Sequence, residues 1–322
     1  MPELPEVETI RRGLAGALLG RRFVRVDVRR PNLRAPLPLH LAERLLDRRV
    51  DAIRRRGKYL LLTLDDASTL LIHLGMSGRI IIASQPPASS GRHDHVEFIT
   101  DDRTIITYSD PRRFGMIDLI PDLAALTTYP SLAHLGPEPL PDLSEDPPFV
   151  ADSLAPRLSA RSSPIKTVLL DQRTVAGLGN IYVCESLFYA GIHPERPASS
   201  LSSTEIKRLV VAIQDVLRRA IAAGGSSLRD YVQASGEMGY FQHSFAVYDR
   251  VGESCPGCVC RAETAPQSIA PLPDLPPPEP PSPELSSRKI LSVIEDQTIS
   301  NGGIVRLTQA GRSTFYCPRR QR

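Results

Sequence analysis

A chain of 322 residues with no leader-like segment and no long apolar run is expected to be a soluble cytoplasmic protein with room for two cores. The net charge is +3, but residues 259–300 hold three basic and six acidic groups, so the remainder carries +6 and is the part suited to an anionic partner. Arginine far outnumbers lysine, which suits bidentate phosphate contacts, and the five cysteines include a Cys-x-x-Cys pair at Cys255 and Cys258 that points to metal rather than disulfides.

The chain opens with Met1-Pro2-Glu3-Leu4-Pro5-Glu6-Val7-Glu8. An initiator methionine before a small residue is normally trimmed, which would leave Pro2 as a secondary amine. An α-amino group has a pKa of about 7.7–8.0, so a useful fraction is unprotonated near neutrality and able to attack a carbon centre, giving an iminium. Glu3 beside it can move the protons such an adduct requires. The same residues also fit a plain helix start, with proline at N1 and acids in the first turn.

From Pro5 to Leu19 the apolar positions Val7, Ile10, Leu14 and Leu18 keep one helical face, with Gly20 as the stop. Arg22–Arg29 alternates, placing Val24, Val26 and Val28 on one side of a strand. Seven further short strands follow at Val50–Arg55, Tyr59–Leu64, Thr69–His73, Arg79–Ile82, His95–Thr100, Thr104–Tyr108 and Gly115–Ile120, interrupted by a short helix around Leu39–Leu46. Their length and turn punctuation predict an antiparallel β-sandwich over residues 1–130. Residues 131–148 read as a linker, with Pro137–Pro148 as its hinge. Helices then fall near Ser163–Leu170, Asn180–Ala190 and Ser203–Ala223, giving a helical domain over 149–250 and an α+β chain overall. Residues 251–322 form a cysteine-containing tail, interrupted by about 259–300, where nine prolines and few aromatics read as a flexible insertion.

Several stretches carry candidate chemistry. Lys58 sits at the mouth of an apolar strand behind Arg54-Arg55-Arg56-Gly57. Two tight turns, His73-Leu74-Gly75-Met76-Ser77-Gly78 and Asp110-Pro111-Arg112-Arg113-Phe114-Gly115, expose long side chains of the kind that wedge into a base step. Gly177 and Gly179 permit close backbone approach, and Asn180 opens a helix whose free N–H groups attract anions. Gly224-Gly225-Ser226-Ser227-Leu228-Arg229-Asp230-Tyr231, running on to Tyr240, is a glycine-hinged loop.

Taken together, the opening nine residues with Arg11-Arg12-Gly13-Leu14, the two turns, the string Asp171 to Tyr182, the glycine-hinged loop and the cysteine tail resemble the bacterial formamidopyrimidine-DNA glycosylase family over roughly residues 1–258 and 301–322. The resemblance implies a helix–two-turn–helix motif in the second domain and a zinc-finger-like β-hairpin at the end. It implies a glycosylase with abasic-site lyase activity toward 8-oxoguanine and formamidopyrimidines in damaged double-stranded DNA, with β- and δ-elimination after base loss, working as a monomer. By the same carry-over Pro2 is the nucleophile, Glu3 handles protons, Glu6 positions the first helix, and Lys58 and Arg312 assist elimination. Met76, Arg112 and Phe114 fill the hole left by the everted base, with Arg113 beside them. His93 contacts DNA, and Lys166 and Asn180 hold the DNA backbone. Ser226, Ser227, Arg229, Tyr231 and Tyr240 belong to the loop over the lesion, which favours oxidised purines over the pyrimidine substrates of endonuclease VIII relatives.

The resemblance also implies zinc on two Cys-x-x-Cys pairs, of which Cys255, Cys258 and Cys317 are present. The fourth place is Arg320, which cannot bind zinc, leaving Cys260 as a replacement ligand or a metal-free hairpin as the alternatives. A non-catalytic DNA-binding descendant is the rival reading from another functional class.

Overall fold

The computed structural model describes residues 1–85, 91–143, 146–226, 239–257 and 303–322. Its first helix, α1 (Leu4–Leu18), buries Val7, Ile10, Leu14 and Leu18 at helical spacing. Each such burial is worth roughly 1.5–3 kcal/mol, enough to commit this face to a core. Next come β1 (Phe23–Val28), the short α2 (Leu41–Leu45), β2 (Val50–Arg56), β3 (Tyr59–Leu64), β4 (Thr69–His73), β5 (Arg79–Ala83), β6 (Asp94–Thr100), β7 (Ile105–Ser109) and β8 (Met116–Ile120).

These eight strands make two antiparallel four-stranded sheets, ordered β1-β6-β7-β5 and β2-β3-β4-β8. Inward residues of both sheets, including Leu60, Leu62, Ile72, Ile80, Phe98 and Ile106, share one core with α1. The expected alternation of β1 holds at Val26 and partly at Val28. A register shift against β6 between Phe23 and Arg25 leaves Val24 47 % exposed and sends Phe23 into the core instead. The outer face of the second sheet is covered by α3 (Leu123–Thr128) and α4 (Pro130–Ala133) through Leu61, Leu71 and Ile120.

The second half comprises α5 (Ala151–Ser159), α6 (Ile165–Leu170), α7 (Asn180–Ala190) and α8 (Ser203–Ala222) around their own apolar core. A reciprocal capping box starts α8: Ser202 N donates to Glu205 Oε2 at 2.8 Å, and Glu205 N donates to Ser202 Oγ at 3.3 Å. Between the halves, Glu138 and Leu140 are fully buried, so the expected hinge at Pro137–Pro148 is packed rather than free at these positions. Leu4 belongs to the second core although it starts the first helix, which fastens the N-terminus to the helical half.

The chain ends in an antiparallel hairpin, β9 (Val305–Gln309) and β10 (Arg312–Tyr316), seated on α7 through Ile304, Phe315, Cys317, Cys184 and Phe188. Among the described residues no helix is long and apolar enough to cross a membrane.

Candidate active site in the interdomain cleft

The N-terminal segment is held where the two cores meet. Leu4 N donates to Gly177 O at 3.1 Å, and the Glu3 carboxylate accepts from Ile181 N at 3.0 Å and Tyr182 N at 3.4 Å. These two amides belong to the first turn of α7, a place that favours negative charge. The glycines of the preceding loop make this approach possible: a Cβ on Gly177 would run into Leu4, and one on Gly179 into the Glu3 carboxyl group. The α7 amides expected to attract an external anion are thus occupied by a carboxylate of the chain itself.

Glu6 forms the next layer. Its carboxylate accepts from Glu3 N at 2.9 Å, Tyr182 OH at 2.5 Å, and Ser226 N and Oγ at 2.8 and 3.1 Å. It therefore ties the start of α1, helix α7 and the root of the glycine-hinged loop into one unit. Ser226 and Tyr240 pair as an isolated antiparallel bridge across that root; Ser227, Arg229 and Tyr231 lie outside the described residues.

A cleft of about 520 Å³ opens over this unit, lined by Pro2, Glu3, Met76, Arg112, Asn180 and Arg312 among others. Lys58 and Arg312, with Met1, line a neighbouring cavity of about 340 Å³. Lys58 is almost completely buried at the turn between β2 and β3. Burial pulls its pKa below the ordinary lysine range, and Arg312 adds to this while Glu3 opposes it. Burial likewise raises the Glu3 pKa, helped by Glu6 and resisted by Lys58 and the two α7 amides. Burial thus moves the two groups in opposite directions, the acid up and the amine down.

Two loop tips are exposed, Met76 at 38 % and Phe114 at 43 %; Met76 and Arg112 line the cleft, and the Arg112 guanidinium lies 4.8 Å from the Phe114 ring centroid. Arg113 takes a left-handed conformation, φ 57°. Both loops hang on a residue that sequence reasoning missed. Buried Asp110 accepts from Ser77 Oγ at 2.6 Å and from Gly115 N at 2.8 Å, while Ser77 Oγ accepts from Arg112 N at 3.1 Å. His93 is partly buried and its carbonyl accepts from Asp110 N at 3.0 Å, which places it against the same loop.

The backbone contacts expected of Lys166 and Asn180 are spent inside the protein here. Lys166 is fully buried, and its ammonium donates to Ser313 O at 3.1 Å and Thr314 Oγ1 at 2.7 Å. Asn180 Nδ2 donates to Ser313 O at 2.8 Å and to Tyr248 OH at 3.4 Å. Both residues therefore seat the strand that carries Arg312. Asn180 alone also lines the cleft.

A second missed network sits behind Lys58. The side chain of Arg55 is fully buried between Glu8, at 3.2 Å, and Glu138, at 2.8 Å, and Glu138 also accepts from Gly57 N and Arg56. Glu8 is held below the usual carboxylate range: burial alone would raise it, but Arg11, Arg12 and Arg55 outweigh that. Periodicity gives no sign of Glu138, which stands between two prolines in a stretch that reads as linker.

A structural zinc site needs four donors in tetrahedral array. Cys255 and Cys317 are both buried beside α7, whereas Arg320, at the fourth place, is a cation without a donor lone pair. Cys258 and Cys260 lie outside the described residues, and among those described no group of three or more His, Cys, Asp or Glu is placed to hold a metal. With Arg320 at the fourth place, the family's two Cys-x-x-Cys pairs are not complete in this chain.

The fold and site define a two-domain protein, a β-sandwich joined to a helical bundle, whose cleft carries Arg112, Arg306 and Arg312 beside Glu3 and Glu6, with the buried Lys58 lining the cavity next to it. The family follows from comparison with known proteins. Residues 1–117 match the formamidopyrimidine-DNA glycosylase N-terminal domain, and residues 135–232 match the formamidopyrimidine-DNA glycosylase H2TH domain. The chain is 49 % identical to the formamidopyrimidine-DNA glycosylase of Rhodospirillum centenum and 48 % identical to that of Rhodospirillum rubrum, each match covering 100 % of both chains. Among solved structures it is similar to the MutM (Fpg) protein of Thermus thermophilus, with TM-score 0.75, 34 % identity and 99 % and 98 % of the two chains covered. It is also similar to a Lactococcus lactis Fpg mutant in complex with a Fapy-dG-containing DNA, with TM-score 0.78, 32 % identity and 100 % of both chains covered. The chain belongs to the formamidopyrimidine-DNA glycosylase family.

Proposed function

We propose that this protein is a bifunctional DNA glycosylase and abasic-site lyase that removes 8-oxoguanine and ring-opened purines from duplex DNA. The observation that carries the reading is the seating of the Pro2–Glu3 segment on the amino end of α7, at the floor of a cleft lined by Arg112 and Arg312.

Removal of Met1 bares the Pro2 nitrogen in this cleft. That nitrogen attacks C1′ of the damaged nucleotide, the bond from C1′ to the base breaks, and the departing base takes a proton. Glu3, its pKa raised by burial, supplies the proton that opens the sugar, and an iminium between Pro2 and C1′ results. Lys58, with its lowered pKa, accepts protons as β- and then δ-elimination expel the flanking phosphates, whose charge Arg312 offsets. Met76, Arg112 and Phe114 occupy the space the everted base leaves. No step requires a metal. The protein acts as a monomer in the cytoplasm.

Excision assays with duplexes carrying 8-oxoguanine, a formamidopyrimidine or thymine glycol test the substrate class. Release of both purine lesions well ahead of thymine glycol is expected. A preference for thymine glycol would instead assign the endonuclease VIII type of specificity.

A further inference from the structure

The end of the chain is fastened in a way that a four-cysteine finger would not need. Cys317 N donates to Gln321 Oε1 at 2.8 Å, and Gln321 Nε2 donates to Ile192 O at 3.0 Å. Arg322 N donates to Gly191 O at 3.3 Å, and His193 N donates to Arg322 O at 3.2 Å. This arm is thereby tied to the loop that ends α7. The other arm, at Pro256 and Gly257, is reached by Arg320. Its Nη1 donates to Pro256 O at 3.0 Å, while its guanidinium carbon lies 4.6 Å from the centroid of the buried Phe188 ring on α7. One cation thus touches both arms and the helix beneath them.

From this geometry we infer that Arg320 replaces the metal: it clamps the two arms of the C-terminal hairpin and keeps Arg312 positioned over the cleft without zinc. A guanidinium at this place offers donors where a metal ion requires acceptors, and its charge repels a dication. The remaining seat is already complete in its own terms. Ile304 and Phe315 pack on Phe188, Ala246 and Val247, and the buried Glu185 carboxylate accepts from Ala246 N, Val247 N and Tyr248 N at 2.8–2.9 Å, fixing the segment on which the hairpin rests. Lys166 and Asn180 then hold Ser313, next to Arg312, from below.

The full-length protein, produced in zinc-supplemented medium, should carry well under one zinc per chain by elemental mass spectrometry. Its binding to duplex DNA with a tetrahydrofuran abasic analogue should survive 1,10-phenanthroline. Arg320→Ala should weaken that binding roughly three- to ten-fold, the scale of one cation–π contact and one hydrogen bond, with Arg320→Lys recovering part of the loss. About one tightly held zinc per chain, with binding abolished by the chelator, would overturn the inference. So would Arg320→Ala binding as the parent does. If the alanine variant fails to fold, zinc content and chelator response of the unaltered protein still decide. None of these readouts depends on which lesion the protein excises.

Discussion

At Glu3 two opposing effects meet, and burial prevails. Lys58 and two backbone amides stabilise the carboxylate, yet the loss of water around a side chain only 3 % exposed, with Glu6 close by, raises its pKa. The folded protein therefore holds this proton more tightly than the unfolded chain does. Any stability gained from the group is present in full below its ordinary value of 4.5 and is lost as pH rises through the raised folded value. Glu3→Gln removes the titration, so thermal melts should show the variant more stable than the parent at neutral pH, with the difference shrinking toward pH 4. The same substitution should slow excision of 8-oxoguanine by roughly 10²–10⁴-fold in single-turnover assays. A variant that is destabilised at neutral pH, or that keeps its activity, would remove Glu3 from this role. Pro2 and Glu3 could be singled out because they stand side by side at the start of the chain, and Lys58 because it follows a run of three arginines and a glycine. The contacts that tune them could not, because Tyr182, Ile181 and Ser226 arrive from far along the chain and no local pattern announces them.

Among elements, the two loops facing the cleft behave as one device. Asp110 accepts from Ser77 of one loop and Gly115 of the other, and Tyr108 OH approaches it at 3.4 Å. Burial first, and Asp110 second, push the Tyr108 phenol above its ordinary range, so it remains a donor to the carboxylate. Asp110→Ala leaves these buried donors without their acceptor, at a cost of about 1–3 kcal/mol each. Urea denaturation should report the loss, and lesion binding should fall more than binding to undamaged duplex, since Met76, Arg112 and Phe114 lose their common anchor. Equal loss for both DNAs would argue that the loops do not sense the lesion. The exposed tips were readable as turns with conspicuous side chains; the buried aspartate holding them read only as the first residue of a turn. Likewise the α7 start was legible from Asn180, whereas α5 was not, since Pro156 within it disguises a helix. In β1, alternation misplaced Val24 because one register shift against β6 turns the strand.

Over the whole molecule, the two halves are joined by charge as well as by apolar packing. Arg55 lies between Glu8 on α1 and Glu138 in the connecting segment, with both carboxylates and the guanidinium fully buried. Glu138 also holds Gly57 N, the residue before Lys58. Glu138→Ala should cost about 3–5 kcal/mol by leaving a buried cation half compensated, read by urea denaturation. It should also lower the covalent yield on abasic-site DNA, because the turn carrying Lys58 loses its support. A stable variant with full yield would show that the halves do not need this link. The two-domain outline was legible from the change of periodicity after β8, but a proline-rich stretch conceals that its glutamate is a buried brace.

Borohydride trapping on duplex DNA containing 8-oxoguanine opposite cytosine, read by intact mass, tests whether Pro2 is the nucleophile. A covalent adduct at the mass of the chain lacking Met1, with the DNA attached through Pro2, is expected. No adduct on this DNA or on an abasic-site duplex would contradict the covalent mechanism and leave a protein that binds damage without cutting it.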